Sequence, residues 1–232
     1  MSLPAAAGPP YTTDDPVPAD TGHFEIYLYS DATKTADTTA GTVLGMEVDY
    51  GLFADAQISV AVPFHYQPVG GDESAFGFGT AAVGVKYRFV HEDPDGIIPD
   101  IAFFPSTEIP IRASKDDTNP REFFPIWAQK TFDGWALSGG GGYWYHPGPE
   151  NRNYWFFGAA LTRQIFPKLN LGVEIFHQTA DTIDGLDSTG ANLGFIFDFT
   201  EQLHLVASVG GGLQNAKQTN QYSYYAALKW TP

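Results

Sequence analysis

Apolar and polar side chains alternate along most of this chain, and that period of two constrains the fold more than any other feature. Successive side chains of a strand point to opposite faces, so the pattern marks strands with one apolar and one polar face rather than helices. Twelve such runs are predicted, at 22–30, 42–51, 55–66, 77–91, 97–112, 122–132, 135–146, 153–166, 168–181, 188–199, 201–214 and 219–231. In the second, Leu44, Met46, Val48 and Tyr50 oppose Glu47 and Asp49. In the third, Ile58, Val60, Val62, Phe64 and Tyr66 oppose Gln57, Ser59 and His65. In the fourth, Val83, Val85, Tyr87 and Phe89 oppose Gly84, Lys86 and Arg88. In the ninth, Leu169, Leu171, Val173 and Ile175 oppose Asn170, Glu174 and Gln178.

Alternation alone describes a soluble sandwich as well as a membrane barrel. The connections separate the two. Odd-numbered ones are longer and polar (DATKTADTTAG, QPVGGDESAF, ASKDDTNPR, HPGPENR, DTIDGLDS, QNAKQ), and most even-numbered ones are tight (FADA, FDGW, FPKL, FTEQ). Short turns on one rim and longer loops on the other are the pattern of an outer-membrane barrel. Aromatics reach 15% while charged residues fall to 17%, below the ~25% of an average soluble chain. Mean hydropathy is nevertheless only -0.18, because the two kinds of residue alternate. No apolar run approaches the ~18 residues of a membrane helix. The closing strand QYSYYAALKWTP puts Tyr222, Tyr224, Ala226, Leu228 and Trp230 on one face. It resembles the C-terminal strand of bacterial outer-membrane proteins, with Thr231 and Pro232 added after the aromatic. The expected fold is an antiparallel up-and-down transmembrane β-barrel over 22–232, with both termini at the short-turn, periplasmic rim.

A net charge of -15 argues against nucleic acid as a partner. No cysteine is present, so the chain has neither a disulfide framework nor a thiolate metal site. No cofactor or metal is expected. The expected partners are outer-membrane lipid or detergent and small hydrophobic solutes, with a monomer favoured. The start, MSLPAAAGPP, lacks the basic and apolar regions of a signal peptide, which implies a mature form placed in the bacterial outer membrane. Residues 1–21 are rich in Pro and Asp and suit neither strand nor helix. They form an N-terminal periplasmic segment expected to enter the lumen as a partial plug.

Parity places Glu25, Glu47, Asp49, Asp100, Glu108, Glu174 and Asp198 inward, with Lys86, Arg88, Arg112 and Lys229. Unpaired charges in a narrow interior are costly, so these groups are expected to form an ion network. Glu47, Asp49, Lys86, Arg88, Glu108, Arg112, Glu174 and Asp198 are the candidate lumen and selectivity residues. Such a network either sets selectivity at a constriction or simply fills the lumen. Inward Tyr27, Tyr29, Phe104, Phe176 and Tyr225 offer apolar or aromatic solutes a path, or are filler. Pro63, Pro105, Pro110 and Pro125 fall inside predicted strands, where each removes a ladder donor or marks a bulge. Pro110 and Pro125 fall near one rim on adjacent strands, the place for a lateral seam.

His177 faces outward near the long-loop rim. Barrel lipases carry a Ser/His pair on such a surface, and Ser188 and Thr189 are the neighbouring hydroxyls. An interfacial His is the simpler reading. Asp181, Asp184 and Asp187 recur in DTIDGLD without the spacing of a calcium loop, and suit a solvated acidic loop. Gly139 to Gly142 lead into Tyr143, Trp144 and Tyr145 on a strand, not into a helix with Lys-Ser/Thr, so they are not a phosphate loop. Trp127, Trp155 or Phe157 are expected to cover these glycines on the lipid side, leaving space on the lumen side.

Taken together, GPPYTTDDPVP, LGMEVDYGLFADAQISVAVP, GVKYRFV, GGGGYWYHPGPENRNYWFFG and EIFHQTADT resemble a family of bacterial outer-membrane transporters labelled after the MetA (meta-cleavage) pathway of phenol degradation. The resemblance runs from about residue 8 to 230. It implies a barrel near aromatic-compound catabolism with a transport role, and brings no catalytic residues with it. The functions weighed are a channel or transporter for small apolar or aromatic solutes, a lipid-modifying enzyme using His177, and a structural or adhesive barrel with a filled lumen.

Overall fold

The computed structural model describes residues 9–68, 74–111 and 119–232. Its strand segments, in chain order, are β1 (Phe24–Lys34), β2 (Thr39–Phe53), β3 (Ala56–Pro68), β4 (Ser74–Phe78), β5 (Thr80–Val90), β6 (Asp100–Phe103) and β7 (Ser106–Pro110). They continue with β8 (Arg121–Phe132), β9 (Trp135–Tyr145), β10 (Tyr154–Phe166), β11 (Leu169–Gln178), β12 (Ser188–Asp198), β13 (Leu203–Gln214) and β14 (Tyr222–Trp230). A single helical turn, α1 (Ala216–Thr219), sits in the loop before β14. The segments form one 14-stranded sheet in which β1 pairs with both β2 and β14. Both β4 and β5 run along β3, and both β6 and β7 lie between β5 and β8. Each of these two pairs is therefore one interrupted stave, and the barrel is a closed antiparallel cylinder of twelve.

The outer face decides between the two folds that alternation allows. Leu28, Met46, Val60, Val85, Ile126, Val173, Leu193 and Leu228 are each at least 40% exposed. They lie on strands all around the cylinder. A soluble domain rarely leaves so broad an apolar surface to water, whereas lipid covers it in a barrel. Aromatics border this band at both rims. Trp135 and Trp230 stand at the short-turn end, with the Arg163 guanidinium 4.8 Å over the Trp135 ring. At the other end Tyr143 meets Trp155 edge-on at 5.1 Å, and Trp155 stacks on Phe157 at 5.8 Å.

Two local readings are corrected. The stretch DATKTADTTAG is not a long loop: pairing continues from Asp31↔Thr42 to Lys34↔Thr39, leaving only 35–38 as the turn. Above the lipid band both faces of a strand meet water, so alternation vanishes while the β-branched threonines still favour pairing. The strand predicted at 97–112 is interrupted at Phe104–Pro105, because Pro105 has no N–H to donate. Register is unchanged across the gap, from Phe103↔Ile126 to Ser106↔Phe123. Phe104 N donates to Pro125 O at 3.2 Å, and Val85 N donates to Pro105 O at 3.0 Å.

Candidate functional site

The inner face is built from the polar half of each strand. On the wall formed by β14 and β1 to β5, Lys229 Nζ pairs with Glu25 Oε2 at 2.8 Å and lies 5.3 Å over the Tyr27 ring. Tyr27 in turn donates to Glu25 at 3.0 Å. Lys86 is 5% exposed, 5.0 Å over the Phe104 ring. Glu47 sits opposite Tyr27, and Asp49 opposite Glu25 and Ser59. Across the lumen Glu174 is 3% exposed and accepts from Asn192 Nδ2 at 2.6 Å.

Residues 9–21 run between these walls. Thr13 N donates to Glu174 Oε1 at 2.5 Å and Thr12 N to Oε2 at 3.2 Å. Ser208 Oγ donates to Pro10 O at 2.6 Å. On the other side Lys86 Nζ pairs with Asp14 Oδ1 at 3.1 Å, and Ala19 N donates to Gln57 Oε1 at 2.7 Å. The segment leaves at the short-turn rim, where Gly22 N donates to Gly51 O and Gly51 N to His23 O. Inward glycines make room for it. A Cβ on Gly172 would strike the Tyr11 hydroxyl, one on Gly194 the Tyr11 ring, and one on Gly158 the Thr13 hydroxyl.

Two cavities lie on either side of the segment. The one toward the long loops has a volume of about 760 Å³ and includes Pro10, Tyr11 and Thr12 in its lining. The one toward the short turns has about 460 Å³ and includes Asp14, Asp15, Lys86 and Lys229.

Of the predicted lumen residues, Glu47, Asp49, Lys86 and Glu174 gather around the segment. Arg88 lies at the short-turn rim, holding Asp55 at 2.7 Å and Asp100 at 3.4 Å. Asp198 is also at that rim, 2.6 Å from His204 Nδ1. Glu108 stands toward the long loops and pairs with Arg121 at 2.6 Å. Arg112 lies outside the described residues. Pro110 ends β7 opposite Thr80 of β5, and Pro125 stands where the β6/β7–β8 ladder is interrupted.

The glycine hairpin is corrected in one respect. Phe157 does lie beside Gly141 on the outside, but Trp127 points inward, is 2% exposed and approaches Gly140 from the lumen. The space expected beside the glycines is occupied. Trp127 belongs to a cluster in which Phe123 stacks on Trp144 at 4.5 Å and Phe156 meets Phe123 and Trp127 at 6.3 Å each. Parity with Gln129 carries this signal, since Phe123, Pro125, Trp127 and Gln129 share one face. The contacts of Tyr11, Thr12, Thr13 and Asp14 with the wall had no such signal.

His177 faces outward with Nδ1 2.9 Å from Thr189 Oγ1. The Thr189 hydroxyl donates to Gln214 Oε1 at 2.7 Å, so its proton points away from His177. Ser188 is on the opposite, inward face, donating to Thr219 Oγ1 at 3.1 Å. Asp187 is engaged by Ala180 N at 2.8 Å, which separates it from Asp181 and Asp184 at the outer cavity.

Solved outer-membrane proteins share this architecture. The NanC porin superposes with a TM-score of 0.62 at 8% identity, covering 88% of this chain and 98% of that one. The KdgM porin gives 0.59 at 12% identity over 89% and 98%. The β domain of the Bordetella autotransporter BrkA gives 0.55 at 13% identity over 92% and 100%. At such identities the likeness concerns the fold. No curated protein matches the chain. The family model described as "Putative MetA-pathway of phenol degradation" matches residues 7–230, and the chain belongs to that family.

Proposed function

We propose that this barrel is an outer-membrane channel for small apolar or aromatic solutes, and that residues 9–21 are its internal plug. The observation that carries the reading is the pair of cavities facing each other across that segment inside a closed wall. A barrel that served only as a scaffold has no need of two chambers separated by a strap. The strap is tied through the side chains of Glu174, Ser208, Lys86 and Gln57 alone, with no strand pairing to the wall along 9–20. Inward Tyr27, Tyr29, Phe104, Phe176 and Tyr225 give ring faces to a passing solute. Lys86 and Glu174 hold the plug, Glu47 and Asp49 line the inner cavity beside it, and Arg88, Glu108 and Asp198 brace the two ends. The family description supports a solute of the phenol class without specifying it.

Uptake into proteoliposomes tests the reading. Phenol, benzyl alcohol and a neutral sugar are supplied to vesicles bearing the full chain or the chain lacking residues 1–20. Faster entry of the aromatic probes than into empty vesicles is expected, and faster still without the segment. No protein-dependent entry of any probe with either chain overturns it. Lateral exit is part of the proposal at the ladder interruption beside Pro125, with Pro110 at the same stave's outer end. A disulfide across Phe103→Cys and Ile126→Cys should then slow phenol entry, and unaltered entry removes the seam alone.

A second reading, lipid hydrolysis at the outer surface, rests on the 2.9 Å approach of His177 to Thr189 and requires the Thr189 hydroxyl to turn from Gln214 to His177. Its test is mass spectrometry of phospholipid incubated with the pure protein. Turnover that disappears in His177→Ala would replace the channel reading.

A further inference from the structure

We infer that the slot now filled by the Tyr11 ring is a binding site for neutral single-ring phenols, and that Tyr11 and such a solute exclude each other. The inference rests on the channel reading only in taking the strap as removable. Register builds the slot. Thr162 on β10, Gly172 on β11, Gly194 on β12 and Ser208 on β13 are directly paired in that order, and all four are buried on the inner face. Only short side chains stand along this row, which leaves a trough across the wall. Two residues outward on β12 stands Asn192, which lines the outer cavity. Two residues inward stand Asn170 on β11 and Ile196 on β12, which line the inner one. The trough therefore joins the two cavities along this wall, and Pro10 and Tyr11 fill it.

The seated group gives the ligand its shape, because the Tyr11 side chain is itself a phenol. It is 8% exposed and packs with Ala160. A Cβ on Gly194 would lie 2.7 Å from Tyr11 Cε1 and 2.9 Å from Pro10 Cγ, and one on Gly172 would meet the Tyr11 hydroxyl first. The three atoms nearest to the Gly194 position all belong to the strap, so that glycine makes room for the ring and not for the wall. A phenol arriving from the outer cavity meets a place already complementary to a ring with one hydroxyl. On the same face of β11, two residues outward from Gly172, Glu174 accepts from Thr12 N, Thr13 N and Asn192 Nδ2. The hydroxyl end of the ring therefore lies against the strand that carries this carboxylate. Such a neighbour admits a neutral O–H, which can donate to it, and repels an anion.

The facing wall offers an aromatic solute less. There the inner cavity is bordered by Glu47, Asp49 and Lys86, and Lys86 is engaged by Asp14 of the strap. Strap and solute are linked through one seat: whichever occupies it weakens the hold of the other, and the coupling is reciprocal. A ring on a short tether acts at an effective concentration of roughly millimolar. A free phenol in that range or above competes with it, and the ties at Glu174 and Ser208 then hold the strap without its ring.

Two probes of one shape test the seat on the full chain in vesicles: p-cresol, the free counterpart of the Tyr11 side chain, and 4-methylbenzoate. Rising p-cresol is expected to make residues 9–21 cleavable by proteinase K, while 4-methylbenzoate at equal concentration leaves them protected. Calorimetry in a neutral detergent adds a second measurement. Tyr11→Ala should bind p-cresol at least about tenfold more tightly than the parent, a gap of about 1.4 kcal/mol. Gly194→Leu added to Tyr11→Ala fills the vacated trough and should return the affinity to that of the parent. If either variant lacks the heat-dependent shift in gel mobility of a folded barrel, the competition on the full chain decides alone. Protection that p-cresol does not alter, equal release by 4-methylbenzoate, or tight binding that survives Gly194→Leu overturns the seat. Competition without entry of p-cresol into vesicles would sink the channel reading alone, and entry without competition would sink only the seat.

Discussion

The two halves of the lumen obey one parity rule and are held together by different physics. On the wall of β14 and β1 to β5 the inward groups are Glu25, Tyr27, Glu47, Asp49, Gln57, Lys86 and Lys229. Their contacts are discrete, and one of them, Lys86 to Asp14, joins the wall to the N-terminal segment. Asp49 Oδ1 there has no hydrogen-bond partner among the described residues. On the wall of β8 to β11 the inward groups include, beside Glu174, the rings of Phe123, Trp127, Trp144, Tyr154, Phe156 and Phe176, in a chain of ring contacts within and across these strands. Ring packing is non-directional and contiguous, so it stiffens one side of the cylinder without needing the segment. Charge pairs act one by one, and each can be exchanged. The segment also touches the ring wall, at Glu174 and beside Gly158 and Gly172, but no ring contact there runs through it, so the groups that tie the segment and the rings that stiffen the wall are separable.

Deleting residues 1–20 is the strongest way to break the comparison. It merges cavities of about 760 and 460 Å³ into one passage and removes Asp14 from Lys86. Single-channel conductance in planar bilayers is expected to rise severalfold. The ring contacts of the aromatic wall are untouched, so the heat-dependent shift in gel mobility should occur at nearly the same temperature. Unchanged conductance would mean that the segment does not divide the lumen.

Next in size is Lys86→Met. Removing one partner of a buried ion pair costs about 3–5 kcal/mol when the other charge cannot escape. Here it can, because Asp14 sits on a strap with an exit at Gly22. The expected outcome is release: residues 9–21 become cleavable by proteinase K in intact vesicles, and conductance approaches that of the deletion. Trp127→Ala reverses both readouts. It removes a 2% exposed side chain from the ring cluster, at about 3 kcal/mol or more. Urea unfolding from detergent should shift accordingly while the segment stays protected. If Trp127→Ala frees the segment, the two halves are not independent.

Much of this division is legible in the chain. Parity fixes the face of Glu47, Asp49, Lys86 and Glu174, because a strand offers only two choices and the outer one faces lipid. It fixes Phe123 and Trp127 as well, through Gln129. Assigning Trp127 to the lipid side gave weight to the aromatic side chain over the alternation of its own strand. What parity cannot supply is which inward groups meet across a lumen. Glu174 and Lys86 stand on β11 and β5, and the path of residues 9–21 joins them through Thr13 and Asp14. That path has no period to read: it follows glycines at 158, 172 and 194, whose inward position is visible but whose occupant is not. The interruption of the fifth stave is similar. Pro105 announced a lost donor, and the use of Val85 N and Phe104 N to bridge it depends on neighbours set by register.

The smallest expected effect concerns the short-turn rim, where neither half of the lumen should respond. Glu92 in the turn before β6 accepts from Lys130 Nζ at 2.6 Å, Thr131 N at 2.9 Å and Thr131 Oγ1 at 2.7 Å. Burial pushes its carboxyl up, but these hydrogen bonds and the Lys130 charge outweigh burial and hold it below the ordinary range. A carboxyl with a lowered folded value stabilises the fold fully above its unfolded value of about 4.3, and that stabilisation is lost as pH falls through the lowered value. Glu92→Gln should therefore cost about 1 kcal/mol at neutral pH, the scale of a hydrogen bond. The gap between the variant and the parent should stay constant down to about pH 5 and close below about pH 4. Urea unfolding of both proteins across that range measures it. Conductance and protease protection of residues 9–21 should not change at any of these pH values on account of the substitution. A variant that alters either would show that the rim is coupled to the charged wall, and that the plug is set from the short-turn side as well as from Lys86.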